Sequence, residues 1–84
     1  MDECYITFRS VTYAQKGERI LEQSSIRCRL QRTPKWMEQQ GCGYCIRIAE
    51  SGVFRAVELL RRSQVPLRRV YVHRAGEGWK ELDL

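Results

Sequence analysis

The sequence predicts an α+β domain of ferredoxin-like βαββαβ order, an antiparallel sheet with two helices on one face, and three observations carry that reading. Residues 13–24 and 53–64 follow the helical period, whereas residues 4–9, 26–31, 44–49 and 68–73 alternate with a period of two. Each helical stretch has one apolar stripe to bury, and one face of a single sheet accommodates both. The 84 residues suit one small domain, 1–84, burying roughly two-thirds of the surface that its unfolded chain exposes.

In the first strand Cys4, Ile6 and Phe8 alternate with Tyr5, Thr7 and Arg9, as in a half-buried strand. Ser10 or Thr12 can cap the helix that follows, and Thr12 with Gln15 has the spacing of a capping box. Tyr13, Ala14, Gly17, Ile20, Leu21 and Ser24 then fall on one side of that helix, opposite a polar side. Ser24-Ser25 breaks the pattern, and Ile26, Cys28 and Leu30 alternate with Arg27, Arg29 and Gln31 in a strand with one oily and one basic face. Residues 32–43 are a long connection of the kind that carries function in small domains, with Pro34 early and Gly41-Cys42-Gly43 late. Tyr44, Ile46 and Ile48 alternate with Cys45, Arg47 and Ala49 in the third strand.

Ser51 is placed to cap the second helix, whose stripe of Val53, Phe54, Val57, Leu60 and Gln64 must end before Pro66. Val70 and Val72 against Arg69, Tyr71 and His73 make the fourth strand. The turn Ala75-Gly76-Glu77-Gly78 leads to a short last segment, Trp79 to Leu84, that suits an edge strand. The sheet face away from the helices is expected to be open and to carry Thr7, Arg27, Arg29, Cys45, Arg47, Arg69, Tyr71 and His73.

A composition of 43% hydrophobic and 30% charged residues excludes a disordered chain. No apolar run approaches the ~18 residues of a membrane span, so no membrane partner is expected. Met1-Asp2-Glu3 lacks the basic region of a secretory signal, and a cytoplasmic address follows as the expectation. There the four cysteines, at 4, 28, 42 and 45, read as thiols rather than as a disulfide framework. The formal net charge of +5, mostly arginine, attracts an acidic partner, protein or nucleic acid.

The stretch with chemistry in it is Gly41-Cys42-Gly43-Tyr44-Cys45. Glycine on both sides lets a second molecule approach the Cys42 sulfur. A thiol reacts as its thiolate, and Lys35, Arg47 and nearby arginines would favour that form. Such a thiolate accepts a sulfur or selenium atom as a persulfide or selenosulfide, and Cys45 would then resolve it by closing a disulfide with Cys42. The plainer alternatives are an idle loop cysteine at 42 and a space-filling one at 45. Cys4 and Cys28 occupy apolar strand positions and read as core. One C-x-x-C pair with two strand cysteines does not make a structural zinc site, so no metal is expected. The pair precedes a strand, not a helix, which counts against a thioredoxin-like role. His73 reads as a surface residue of the fourth strand.

In these residues the chain resembles the Se/S carrier protein-like family of small bacterial domains. The resemblance runs through nearly all of the chain: Tyr5-Ile6-Thr7-Phe8 followed by Ser10 and Thr12, a first helix, Pro34-Lys35, then Gly41-Cys42-Gly43, a strand and a helix. It implies a non-enzymatic carrier that holds sulfur or selenium on Cys42, with no cofactor beyond the carried atom. The partners expected are a cysteine desulfurase-like donor and a sulfur- or selenium-using acceptor enzyme. Lys35 stands where arginine is expected, and Cys45 is an additional thiol where the family is usually apolar, which leaves a carrier and a two-thiol redox cycle both open.

RNA binding stands second. Basic and aromatic residues on the open face of a βαββαβ sheet are how RNA-recognition modules stack bases, but the third strand, Tyr44-Cys45-Ile46-Arg47-Ile48, lacks their signature. The second strand and the terminal segment are candidate edges, and a monomer or weak homodimer is expected, with Arg27 and Arg29 opposing edge pairing.

Overall fold

The computed structural model describes residues 2–37 and 43–84. Its elements are β1 (Glu3–Thr7), α1 (Val11–Gln23), β2 (Arg29–Arg32), β3 (Tyr44–Ala49), α2 (Glu50–Arg62), β4 (Val70–Arg74) and β5 (Gly78–Leu82). The strands form one antiparallel sheet in the order β2-β3-β1-β4-β5. This is the ferredoxin-like arrangement with a C-terminal edge strand, as the periodicity predicts.

β1 lies at the centre because both of its faces are needed. On the helix side Cys4 and Ile6 lie opposite Ile48 and Ile46 on β3 and Val72 and Val70 on β4. With Phe8, these side chains form the floor of the core. Above it α1 contributes Ala14 and Leu21, and α2 contributes Val53, Ala56, Val57 and Leu60, all buried. Gly17 is where α1 comes closest: a Cβ there would stand 3.2 Å from Leu60 Cδ2 and 3.3 Å from Ile46 Cδ1.

Of the two candidate caps for α1, Ser10 serves, its Oγ accepting from the Tyr13 N–H at 3.1 Å. α2 departs from expectation in two ways. β3 passes directly into it, so Ala49 holds the N-cap position without a side-chain bond and Ser51 lies inside the first turn. Phe54 is 62% exposed, since the stripe 53, 56, 57, 60 turns it away from the core. Both helices end in a Schellman motif with an apolar residue tucked beneath. Ile26 N–H donates to Leu21 O and Ser25 N–H to Glu22 O; Val65 N–H donates to Leu60 O and Gln64 N–H to Arg61 O. The left-handed positions fall to Ser25, at φ 62°, and Gln64, at φ 59°.

The sheet face away from the helices is not wholly open, which corrects the sequence expectation. Thr7 and Cys45 are fully buried and Tyr71 is nearly so. The cause is the chain after β2, which turns at Pro34, with Met37 N–H donating to Pro34 O at 3.0 Å, and comes to lie over one end of this face. Met37 is buried there, and its carbonyl accepts from the Tyr71 hydroxyl at 3.0 Å. Such a cover joins residues far apart in sequence and leaves no trace in strand periodicity. β2 and β5 are the sheet's edges. Among the described residues no helix is long and apolar enough to cross a membrane.

Candidate functional site

Gly41 and Cys42 lie outside the described residues, and the site is the frame on which they are carried. The β2–β3 ladder ends at Arg32 opposite Tyr44. One further bond, Thr33 N–H to Gly43 O at 2.9 Å, closes the base of the connection. Gly43 has φ +84° and nothing within 4 Å of where a Cβ would be. That backbone favours glycine, and the open space beside it agrees with an approachable loop. Tyr44, next along, has the Arg32 guanidinium 5.2 Å from its ring centroid.

Cys45 is fully buried, contrary to its placement on an exposed sheet face. Its Cα partners are Thr7 on β1 and Gln31 on β2, at the covered end of that face. Thr7 is held in turn by β4's approach: its Oγ1 accepts from Arg69 N–H at 3.0 Å. A thiol in this place is shielded from outside reagents.

The two expected cations are differently placed. Lys35 is exposed in the turn after Pro34, on the same connection as Cys42. Arg47 lies three residues beyond Tyr44, about 10 Å along the strand. Its guanidinium is bound to the Glu3 carboxylate, with Nε to Oε1 at 2.9 Å and Nη2 to the same oxygen. Glu3 pairs with Ala49, so Arg47 reaches away from Gly43. The hydrogen bond to Glu3 holds the Arg47 pKa above its ordinary value.

Cys4 is core, as expected, whereas Cys28 is half-buried and packs against the core's edge. Burial pushes both thiols up to about 11, with Glu50 adding to the effect at Cys4 and Glu18 at Cys28. Cys28 Sγ also donates weakly to Glu18 O at 3.9 Å. Among the described residues, no three His, Cys, Asp or Glu side chains gather as metal ligands.

Sequence reasoning missed an aromatic cluster. Trp79 on β5 lies 4.7 Å from Tyr5, 4.8 Å from His73 and 5.9 Å from Trp36, between ring centroids. Tyr5 and His73 were legible as residues of this face from alternation. Trp36 comes from the connection and Trp79 from the edge strand, and only the fold brings them together.

A family model described as Putative Se/S carrier protein-like matches residues 3–72. No curated protein and no solved structure matches the chain. The match spans both helices and β1 to β3, with the Gly-Cys-Gly connection, and ends within β4.

Proposed function

The chain belongs to the Se/S carrier protein-like family, and from that premise we propose that it carries sulfur or selenium on Cys42 between a donor and an acceptor protein. The observation that carries this reading is the family match across the whole segment around Gly41-Cys42-Gly43. The open space at Gly43 and the high pKa values of Cys4 and Cys28 support it, since they favour reaction at one approachable thiol.

In the loading step the Cys42 thiolate attacks the outer sulfur of a persulfide on a cysteine desulfurase-like donor. The donor's S–S bond breaks, its cysteine leaves as a thiolate, and a persulfide forms on Cys42 without net oxidation. Selenium follows the same course as a selenosulfide. Delivery to a sulfur- or selenium-using acceptor is the same exchange in reverse. The atom leaves as it arrived, so the protein acts as a carrier and not as an enzyme, and a reducing cytoplasm suits such a thiol. Lys35, on the same connection, is the cation better placed to favour the thiolate, because the charge of Arg47 is already met by Glu3.

Cys45 offers a second route of release. Its thiolate would attack the inner sulfur of the Cys42 persulfide, expel hydrosulfide and leave a Cys42–Cys45 disulfide, which an external dithiol must then reduce. Its burial confines this route to an attack from within the molecule.

Intact-mass measurement after incubation with a cysteine desulfurase and cysteine or selenocysteine tests the proposal. Wild type gains one sulfur or selenium atom per chain, Cys42→Ser gains none, and Cys45→Ser holds the added atom longer if Cys45 drives release. Equal gain in wild type and Cys42→Ser refutes the assignment.

A further inference from the structure

We propose that the part of the sheet face left open by the 33–37 turn binds single-stranded nucleic acid, with bases stacked on Trp36, His73 and Trp79 and phosphates held by Arg27 and Arg29. This proposal does not rest on the carrier reading.

Three observations support it. The first is the cluster itself: Trp36 is 60% exposed and His73 is also exposed, so both present ring surface to solvent while resting on Trp79. An exposed tryptophan held against a second ring is a ready stacking platform, because every base has a π-face.

The second is the basic groove beside it. Glu3, Arg27, Cys28, Arg29, Arg47, Ile48 and Ala49 line a shallow cavity of about 360 Å³. Arg47 lies directly opposite both Tyr5 and Arg29, which joins the groove to the aromatic cluster across β3 and β1. Glu3 is engaged by Arg47, whereas Arg27 and Arg29 have no ion pair among the described residues. The opposing charge on this face is Glu81, opposite Tyr71 at the β5 edge, at the far side from the arginines.

The third is dimension. From β2 to β5 there are four strand intervals, about 19 Å, which is room for roughly three or four nucleotides crossing the strands.

Charge decides among the ligands that aromatic clusters accept. A quaternary ammonium needs a gap between rings, but these centroids stand 4.7 to 5.9 Å apart, so the rings fill one another's space, and the arginines repel a cation. A polyanion with planar rings matches both halves of the surface.

The test uses the full chain and eight-nucleotide oligouridylate RNA and oligothymidylate DNA, which show whether the 2′-hydroxyl matters. The chain's two tryptophans, Trp36 and Trp79, report base stacking directly by quenching of their fluorescence. Binding is expected to quench both and to weaken with salt. Trp36→Ala should weaken binding about tenfold, with Trp36→Phe retaining most of the affinity. Arg27→Gln with Arg29→Gln should weaken binding and flatten its salt dependence by about 0.7 per lost phosphate contact. Arg55→Gln on α2, the far side of the sheet, should bind as wild type does, and circular dichroism checks that each variant is folded. Absence of quenching at low salt, equal affinity in Trp36→Ala, or preference for an acidic or proline-rich peptide over both oligonucleotides overturns the proposal.

Discussion

Cys4 is one of four cysteines in the chain, and its surroundings make it chemically silent. It is fully buried at the centre of the sheet, and burial raises its pKa to about 11, as it does for Cys28. At neutral pH only roughly one molecule in ten thousand carries either as a thiolate. Cys45 is shut in beside Thr7. The residue-scale prediction is that iodoacetamide at pH 7.5 rapidly labels one cysteine per native chain, at Cys42, and all four once the chain is unfolded. Peptide mapping of the labelled protein reads this out, and fast native labelling of Cys4 or Cys28 would contradict the burial argument. Trp36 makes the complementary point. As a residue next to Pro34-Lys35 it looks like an ordinary loop position, and its importance comes from its contact with Trp79.

At the scale of the element, helix ends are where this chain bears local strain. Ser25 and Gln64 hold left-handed backbone, which costs a side-chain-bearing residue about 1–2 kcal/mol. They accept it because each motif lets the next residue, Ile26 or Val65, bury its side chain. Gln64→Gly relieves the strain, offset by the greater freedom of glycine in the unfolded chain, about 0.5–1 kcal/mol. The expected outcome is a stabilisation of about 0.5–1 kcal/mol in urea unfolding, with unchanged fluorescence in the native state; a loss of stability would show that the Gln64 side chain matters more than its backbone. Element type was legible wherever local pattern decided it. Cys4, Ile6 and Phe8, or Ile46 and Ile48, face the helices as their alternation requires. It failed where a partner distant in sequence decided the outcome. Ser51 looks like a cap, but the backbone enters α2 directly from Ala49. Phe54 fits a helical stripe, yet Ala56 takes the buried place. Cys45, Thr7 and Tyr71 read as an open face until the turn at Pro34 covers them. The candidate site was legible as a motif, Gly41-Cys42-Gly43, while the aromatic cluster was not, because no local pattern links Trp36 to Trp79.

For the whole molecule, the ionisable groups set a window of pH in which the fold is most stable. Glu50, at the start of α2, is bound by Arg74 at the end of β4 with Nη2 to Oε2 at 2.6 Å, and this hydrogen bond holds its carboxyl below the ordinary 4.5. Lys80 does the same for Glu77 across the β4–β5 turn. In the unfolded chain these carboxylates take up protons at a higher pH than in the folded one. Their contribution is therefore present above about pH 4.5 and lost as pH falls through the depressed folded values. The thiols act at the other limit. Cys4 and Cys28 ionise near their ordinary 9.0 when unfolded but near 11 when folded, so deprotonation favours unfolding and stability is lost as pH rises from about 9 to about 11. The urea midpoint, measured at constant ionic strength from pH 3 to pH 11, should be level between about pH 5 and 9 and fall on both sides. Arg74→Gln should make the acid limb shallower and, because Arg74 also lowers the Cys4 pKa, extend the alkaline limb, whereas Cys4→Ala should make the alkaline limb shallower and leave the acid limb in place. A midpoint that rises below pH 4.5, or an alkaline limb unchanged in Cys4→Ala, would mean that other groups control the window.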